Sequence, residues 1–101
     1  MLVFTNAVEG RDDEFNRWYD EVHLGEVLGV PAFTSAKRFR TTSAQVIADQ
    51  PFGYLAIYQF EGDPQAAIDA LMHAAPTFNM SDAMHPESKL VIVEDHDPPP
   101  R

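Results

Sequence analysis

The chain has 101 residues with 16 acidic and 7 basic side chains, a net charge of −9 and 45% hydrophobic residues, which is the composition of one ordinary globular domain. The acidic excess repels phosphate backbones and anionic lipid, so neither nucleic acid nor a membrane surface is an expected partner. With no cysteine, disulfides, thiolate catalysis and zinc–thiolate sites are excluded.

In chain order, residues 1–8 are short, apolar and rich in β-formers and predict a first strand, turned by Glu9-Gly10-Arg11. Asp12 or Asp13 is expected to cap a helix running to about His23, with a looser turn or second short helix over 26–28 before Pro31 ends it. Phe15, Trp18, Tyr19, Val22 and Glu26 recur at spacings of three and four, and most of them form one apolar stripe. Residues 32–42 predict a second strand, with Phe33, Ser35, Lys37 and Phe39 on one face and Thr34, Ala36, Arg38 and Arg40 on the other. Residues 42–51 read as a hairpin loop. Residues 52–61 read as a third strand with Phe52, Tyr54, Ala56, Tyr58 and Phe60 on one face.

Asp63 followed by Pro64 is a strong helix start, and the helix over 64–75 is closed by Pro76. The polar connection 77–86 is longer than most loops, which marks it as a candidate functional segment. Residues 89–95 predict the last strand. The reading is one domain over 1–96 and an extended, proline-rich tail over 97–101. The order βαββαβ predicts an α+β, ferredoxin-like fold: a four-stranded antiparallel sheet with two helices on one face. Strands three and four are apolar on both faces, so the uncovered face is expected to pack against a second copy, making a homodimer. The start carries no basic leader and no apolar run approaches a membrane span, so a cytoplasmic protein is expected.

The candidate for chemistry is His23. It lies four residues after Tyr19 and eight after Phe15 on the flank of the stripe, with Asp20 and Asn16 on the same flank. A carboxylate beside an imidazole fixes its tautomer and raises its basicity, as a general base requires. A histidine near a helix C-terminus is also stabilised by the helix dipole alone, so spacing leaves both readings open. Tyr54 and Tyr58 share a strand face, and either could donate a hydrogen bond to a ligand carbonyl. Asn6 at the end of the first strand could do the same. Arg38 and Arg40 could hold a carboxylate or enolate, or simply meet acidic neighbours. Trp18 and Tyr19 would wall a cavity, and His85 in the 77–86 connection is a further candidate. No two of the four histidines are close in sequence, so no metal site and no cofactor is expected.

The run Phe15-Asn16-Arg17-Trp18-Tyr19-Asp20-Glu21-Val22-His23-Leu24, followed by Pro31-Ala32-Phe33 and Arg38-Phe39-Arg40, resembles the EthD-like branch of the dimeric α+β barrel superfamily. The Thr5-Asn6 strand end and the Glu9-Gly10-Arg11 turn resemble it too. The resemblance is strong over 1–40 and rests afterwards on element order. It implies a ferredoxin-like homodimer with a cavity between the sheet and the first helix. It also implies a histidine facing that cavity from a His-x-Pro step, here His23-Leu24-Gly25 with glycine in the proline's place.

The function expected is therefore cofactor-independent chemistry of cyclase, dehydratase or isomerase type on a small apolar, polyketide-like or aromatic compound. His23 would be the base, Asp20 its support, and Tyr54 or Tyr58 the oxyanion donor. Asn6, Asn16, Trp18, Tyr19, Tyr54, Arg38 and His85 would contact substrate. The alternatives are cofactor-free oxygenation of an electron-rich phenol and a non-catalytic dimer that holds a small ligand.

Overall fold

A computed structural model describes residues 1–97. The expected proline-rich tail falls mostly on 98–101, outside the described residues. The alternating apolar segments form β1 (Leu2–Thr5), β2 (Phe33–Arg40), β3 (Tyr54–Phe60) and β4 (Lys89–Val91). They make one antiparallel sheet in the order β2-β3-β1-β4. The helices are α1 (Asp12–Trp18), a π-helical turn (Tyr19–His23), α2 (Leu24–Leu28) and α3 (Pro64–Ala74), which a 3₁₀ turn (Ala75–Thr77) extends. The α+β ferredoxin-like arrangement is thus as expected.

The core lies between the sheet and the helices. Phe15, Tyr19, Val27 and Val30 come from the first helical run, Ala67 and Leu71 from α3, and Phe33, Ala56 and Tyr58 from the strands. Asp63 caps α3 as its sequence predicts, accepting the Ala66 amide at 3.0 Å, and Pro64 occupies the first turn. Gly10 and Gly62 both turn the chain at positive φ, where glycine escapes the Cβ penalty.

Three local expectations are corrected. The start of α1 carries no side-chain cap: the flanking residue is Arg11, and Asp12 is already helical, its carboxylate turned toward Tyr54. The second short helix expected after His23 is α2, which follows the π turn directly. Residues 12–28 form one continuous rod, because every joint between its segments keeps right-handed helical torsions. A register shift between Phe33 and Ser35 reverses the expected facing of Phe33. The extra residue turns Phe33 inward against Tyr58 and Phe60, on the same face as Ala36 and Arg38. Finally, β1 and β4 are shorter than predicted. Beyond Thr5, the chain bonds to the 77–86 connection through Val8 N–H to the Ala83 carbonyl and His85 N–H to the Asn6 carbonyl.

Candidate functional site

The π turn decides which side chains face inward. In an α-helix, Val22 would continue the stripe of Phe15 and Tyr19. Here the Leu24 amide bonds the Tyr19 carbonyl five residues back, which inserts an extra residue into the turn. The later residues are rotated accordingly: Val22 is exposed, His23 and Leu24 turn inward, and Val27 is buried.

His23 therefore enters an aromatic enclosure. Its ring stacks on Trp18 (4.7 Å between centroids, 20° between planes) and meets Tyr19 at 5.0 Å and Phe78 at 5.7 Å edge-to-face. Its Nδ1 lies 3.3 Å from the Glu26 carboxylate, and the two side chains are only 13% and 15% exposed. The support for the imidazole is thus Glu26, three residues later on the same helix, and not Asp20. The other Glu26 oxygen accepts the Asn79 amide, and the Trp18 indole donates to the Asn79 carbonyl at 2.6 Å. The 77–86 connection is pinned over the enclosure by these two bonds. Nε2 of His23 has no hydrogen-bond partner among the described residues, yet it is not sealed from water. Burial lowers the imidazole pKa from its usual 6.5, against the opposing pull of Glu26.

A polar cluster also borders the Tyr19 ring. The Arg38 guanidinium lies 4.2 Å over Tyr19 and donates from Nη1 to Asp20 (2.8 Å) and from Nη2 to Asn16 (2.9 Å). The Asn16 amide donates to the Tyr54 hydroxyl at 3.2 Å, and that hydroxyl donates to Asp12 at 2.6 Å. Asn16, Asp20, Arg38, Phe39, Arg40 and Tyr54 line an open, shallow cleft of about 370 Å³ where the first helix meets the edge strand β2. A second groove of about 470 Å³, between α2 and α3, is mainly lined by small and apolar residues and reaches Glu26 and His73. His23 itself lines neither.

The remaining candidates are engaged elsewhere. Tyr58 is buried and its hydroxyl donates to Tyr19 at 3.3 Å, so it faces no cleft; burial drives both phenols' pKa values upward. The Asn6 side chain accepts the Gly53 amide at 2.7 Å and donates to the Pro51 carbonyl at 2.8 Å, pinning the end of the β2–β3 loop. His85 accepts the Glu87 amide at Nδ1 and shapes its own turn. Glu26 is the residue that sequence reasoning left without a role, although its i, i+3 spacing from His23 was a usable signal. Among the described residues, no cluster of three or more His, Asp or Glu could hold a metal ion, and no helix is long and apolar enough to cross a membrane. No protein-family profile, curated protein or solved structure matches this chain.

Proposed function

We propose that the chain is a small cofactor-independent enzyme of cyclase, dehydratase or isomerase type, acting on a small apolar, polyketide-like or aromatic carbonyl compound. The observation that carries this reading is the setting of His23: enclosed by aromatic rings, tied at Nδ1 to Glu26, and without a partner at Nε2 among the described residues, with burial lowering its pKa. Such an imidazole takes a proton at Nε2, and the adjacent carboxylate stabilises the imidazolium that forms. Trp18, Tyr19 and Phe78 enclose the imidazole itself, and Phe78 and Glu26 also line the groove between α2 and α3, which brings an apolar substrate to the edge of that enclosure. With Tyr58 turned into the core, Tyr54 is the tyrosine left to donate to a substrate oxygen, from the hollow it lines with Asn16 and Arg38.

The reading includes a homodimer and membership of the EthD-like branch, the latter resting on the sequence resemblance. Support for the dimer comes from the sheet register. Leu2, Phe4, Leu55, Ile57, Phe39 and Val91 share the face away from the helices with Ser35, Lys37, Gln59 and Lys89; no acidic residue is among these strand pairs, and Glu61, Glu94 and Asp95 gather at one end, in a hollow they line with Leu2, Ile57 and Gln59. In a chain of charge −9, an apolar face whose paired strand residues carry lysines and no acids is the place where two copies meet with least repulsion. Ile57→Asp is expected to convert a dimer to a monomer in light scattering; a wild-type monomer at micromolar concentration removes the dimer from the proposal.

The chemistry is tested by deuterium exchange at the carbon next to the carbonyl in a panel of aryl ketones, followed by proton NMR. Wild-type protein is expected to accelerate exchange and His23→Gln to lose about 100-fold or more. Equal rates for the two proteins would sink the acid–base reading. A second reading, a dimer that holds a small ligand without turnover, is favoured by His23 lining neither hollow. Tight ligand binding that survives His23→Gln without any exchange would establish it.

A further inference from the structure

We infer that Asp20 occupies the place of a ligand's carboxylate on Arg38, and that the helix–sheet cleft binds small aromatic carboxylates by displacing it. Arg38 and Asp20 are unequally held: the arginine side chain is 12% exposed and the aspartate 60%. The guanidinium is fixed from several sides, over the rings of Tyr19 at 4.2 Å and of Phe15 and Tyr54 at 5.4 Å, with Asn16 on Nη2. Asp20 is held by a single oxygen on Nη1.

The fork of an arginine is best satisfied by both oxygens of one carboxylate. Here the two terminal nitrogens are instead divided between a half-exposed aspartate and an amide oxygen. An incoming carboxylate takes both positions, while Asp20 moves into water at little cost, because exposed ion pairs are weak. The cleft carries charge suited to this exchange. Arg40 stands on its rim with no ion-pair partner among the described residues. The other nearby carboxylate, Asp12, is occupied by the Tyr54 hydroxyl. Once Asp20 swings out, two cations face one committed anion. The Tyr54 ring beside the guanidinium supplies the apolar wall that selects an aromatic acid over a bare anion.

As a description of the enzyme's substrate class, this inference rests on the acid–base reading; as a binding event it is measured separately. The probes are benzoate and its neutral isostere benzamide, titrated into the whole chain at pH 7.5 in 0.15 M salt. The readouts are calorimetry and the NMR signals of the Arg38 side chain and the Asn16 amide. Benzoate is expected to shift both signals and benzamide neither. Asp20→Asn is expected to tighten benzoate by up to about 5-fold, since an internal competitor is gone. Glu21→Gln, which removes an exposed charge one residue away, is expected to change nothing. Arg38→Lys is expected to weaken benzoate about 10-fold or more, because an ammonium cannot present the fork.

The inference is overturned if benzoate binds no better than benzamide, or if Asp20→Asn leaves its affinity unchanged or weaker. A gain matched by Glu21→Gln also overturns it, since general charge would then be the cause. Ketone exchange without benzoate binding defeats this inference alone. Benzoate binding as described, with no exchange on any ketone, defeats the acid–base reading alone.

Discussion

Two contacts between a basic side chain and a carboxylate border the Tyr19 ring, and they have opposite characters. His23 and Glu26 are both nearly buried, three residues apart, and roofed by residues 78 and 79. Arg38 and Asp20 join helix to sheet with only the arginine buried, beside an open cleft. A contact closed on both sides holds a protonation state; a contact open on one side can exchange its partner. Burial of each member, more than distance, separates the two, since the open contact is the shorter one at 2.8 Å against 3.3 Å.

The most severe way to break this comparison is to remove the ring that both contacts border. Tyr19→Ala empties a fully buried site and is expected to cost about 3–5 kcal/mol in urea unfolding, disturbing both contacts together. Arg38→Met comes next. It strips the hydrogen-bond partners of Asn16 and Asp20 and is expected to cost about 2 kcal/mol, and to let the His23 pKa rise a little, since the guanidinium is one of the charges that hold it down.

A pH series sharpens the contrast on the closed side. In the unfolded chain His23 titrates near 6.5, and in the folded chain lower. Between those values the unfolded state binds more protons, so this contribution to stability is complete above pH 6.5 and is lost as the pH falls through the folded value. Urea midpoints from pH 7.5 downward should show that slope, and His23→Gln should flatten it. Glu26→Gln is expected to lower the His23 titration point further in histidine NMR, because the carboxylate is the group that favours the charged ring. The smallest effect is on the open side: Asp20→Asn is expected to change stability by no more than about 0.5 kcal/mol, which a denaturation curve would expose if larger.

Much of the fold was legible because its signals are local. Asp63-Pro64 starts a helix through a cap and a fixed φ, and the alternation of Tyr54, Ala56 and Tyr58 marks one face of a strand. The site was only partly legible. Asn16 and Asp20, expected beside His23, instead line one cleft with Arg38 and Tyr54, whereas Tyr58 and Asn6 satisfy the core and a loop end. Phe33 was misplaced because one extra residue in a strand reverses its facing, and a period of two cannot register that. Val22 and His23 exchanged places for the analogous reason on the helix, where the π turn adds a residue to a period of 3.6.

By itself, the sequence determined the order of elements, the cap of α3, the candidate residues along the first helix, and the absence of any cysteine chemistry. Only the tertiary structure decided that Glu26 serves His23 and Asp20 serves Arg38. Those pairings depend on how the helix is wound where it crosses the sheet and on which side chains the 77–86 connection covers. Both are set by packing between segments far apart in the chain, which no local spacing encodes.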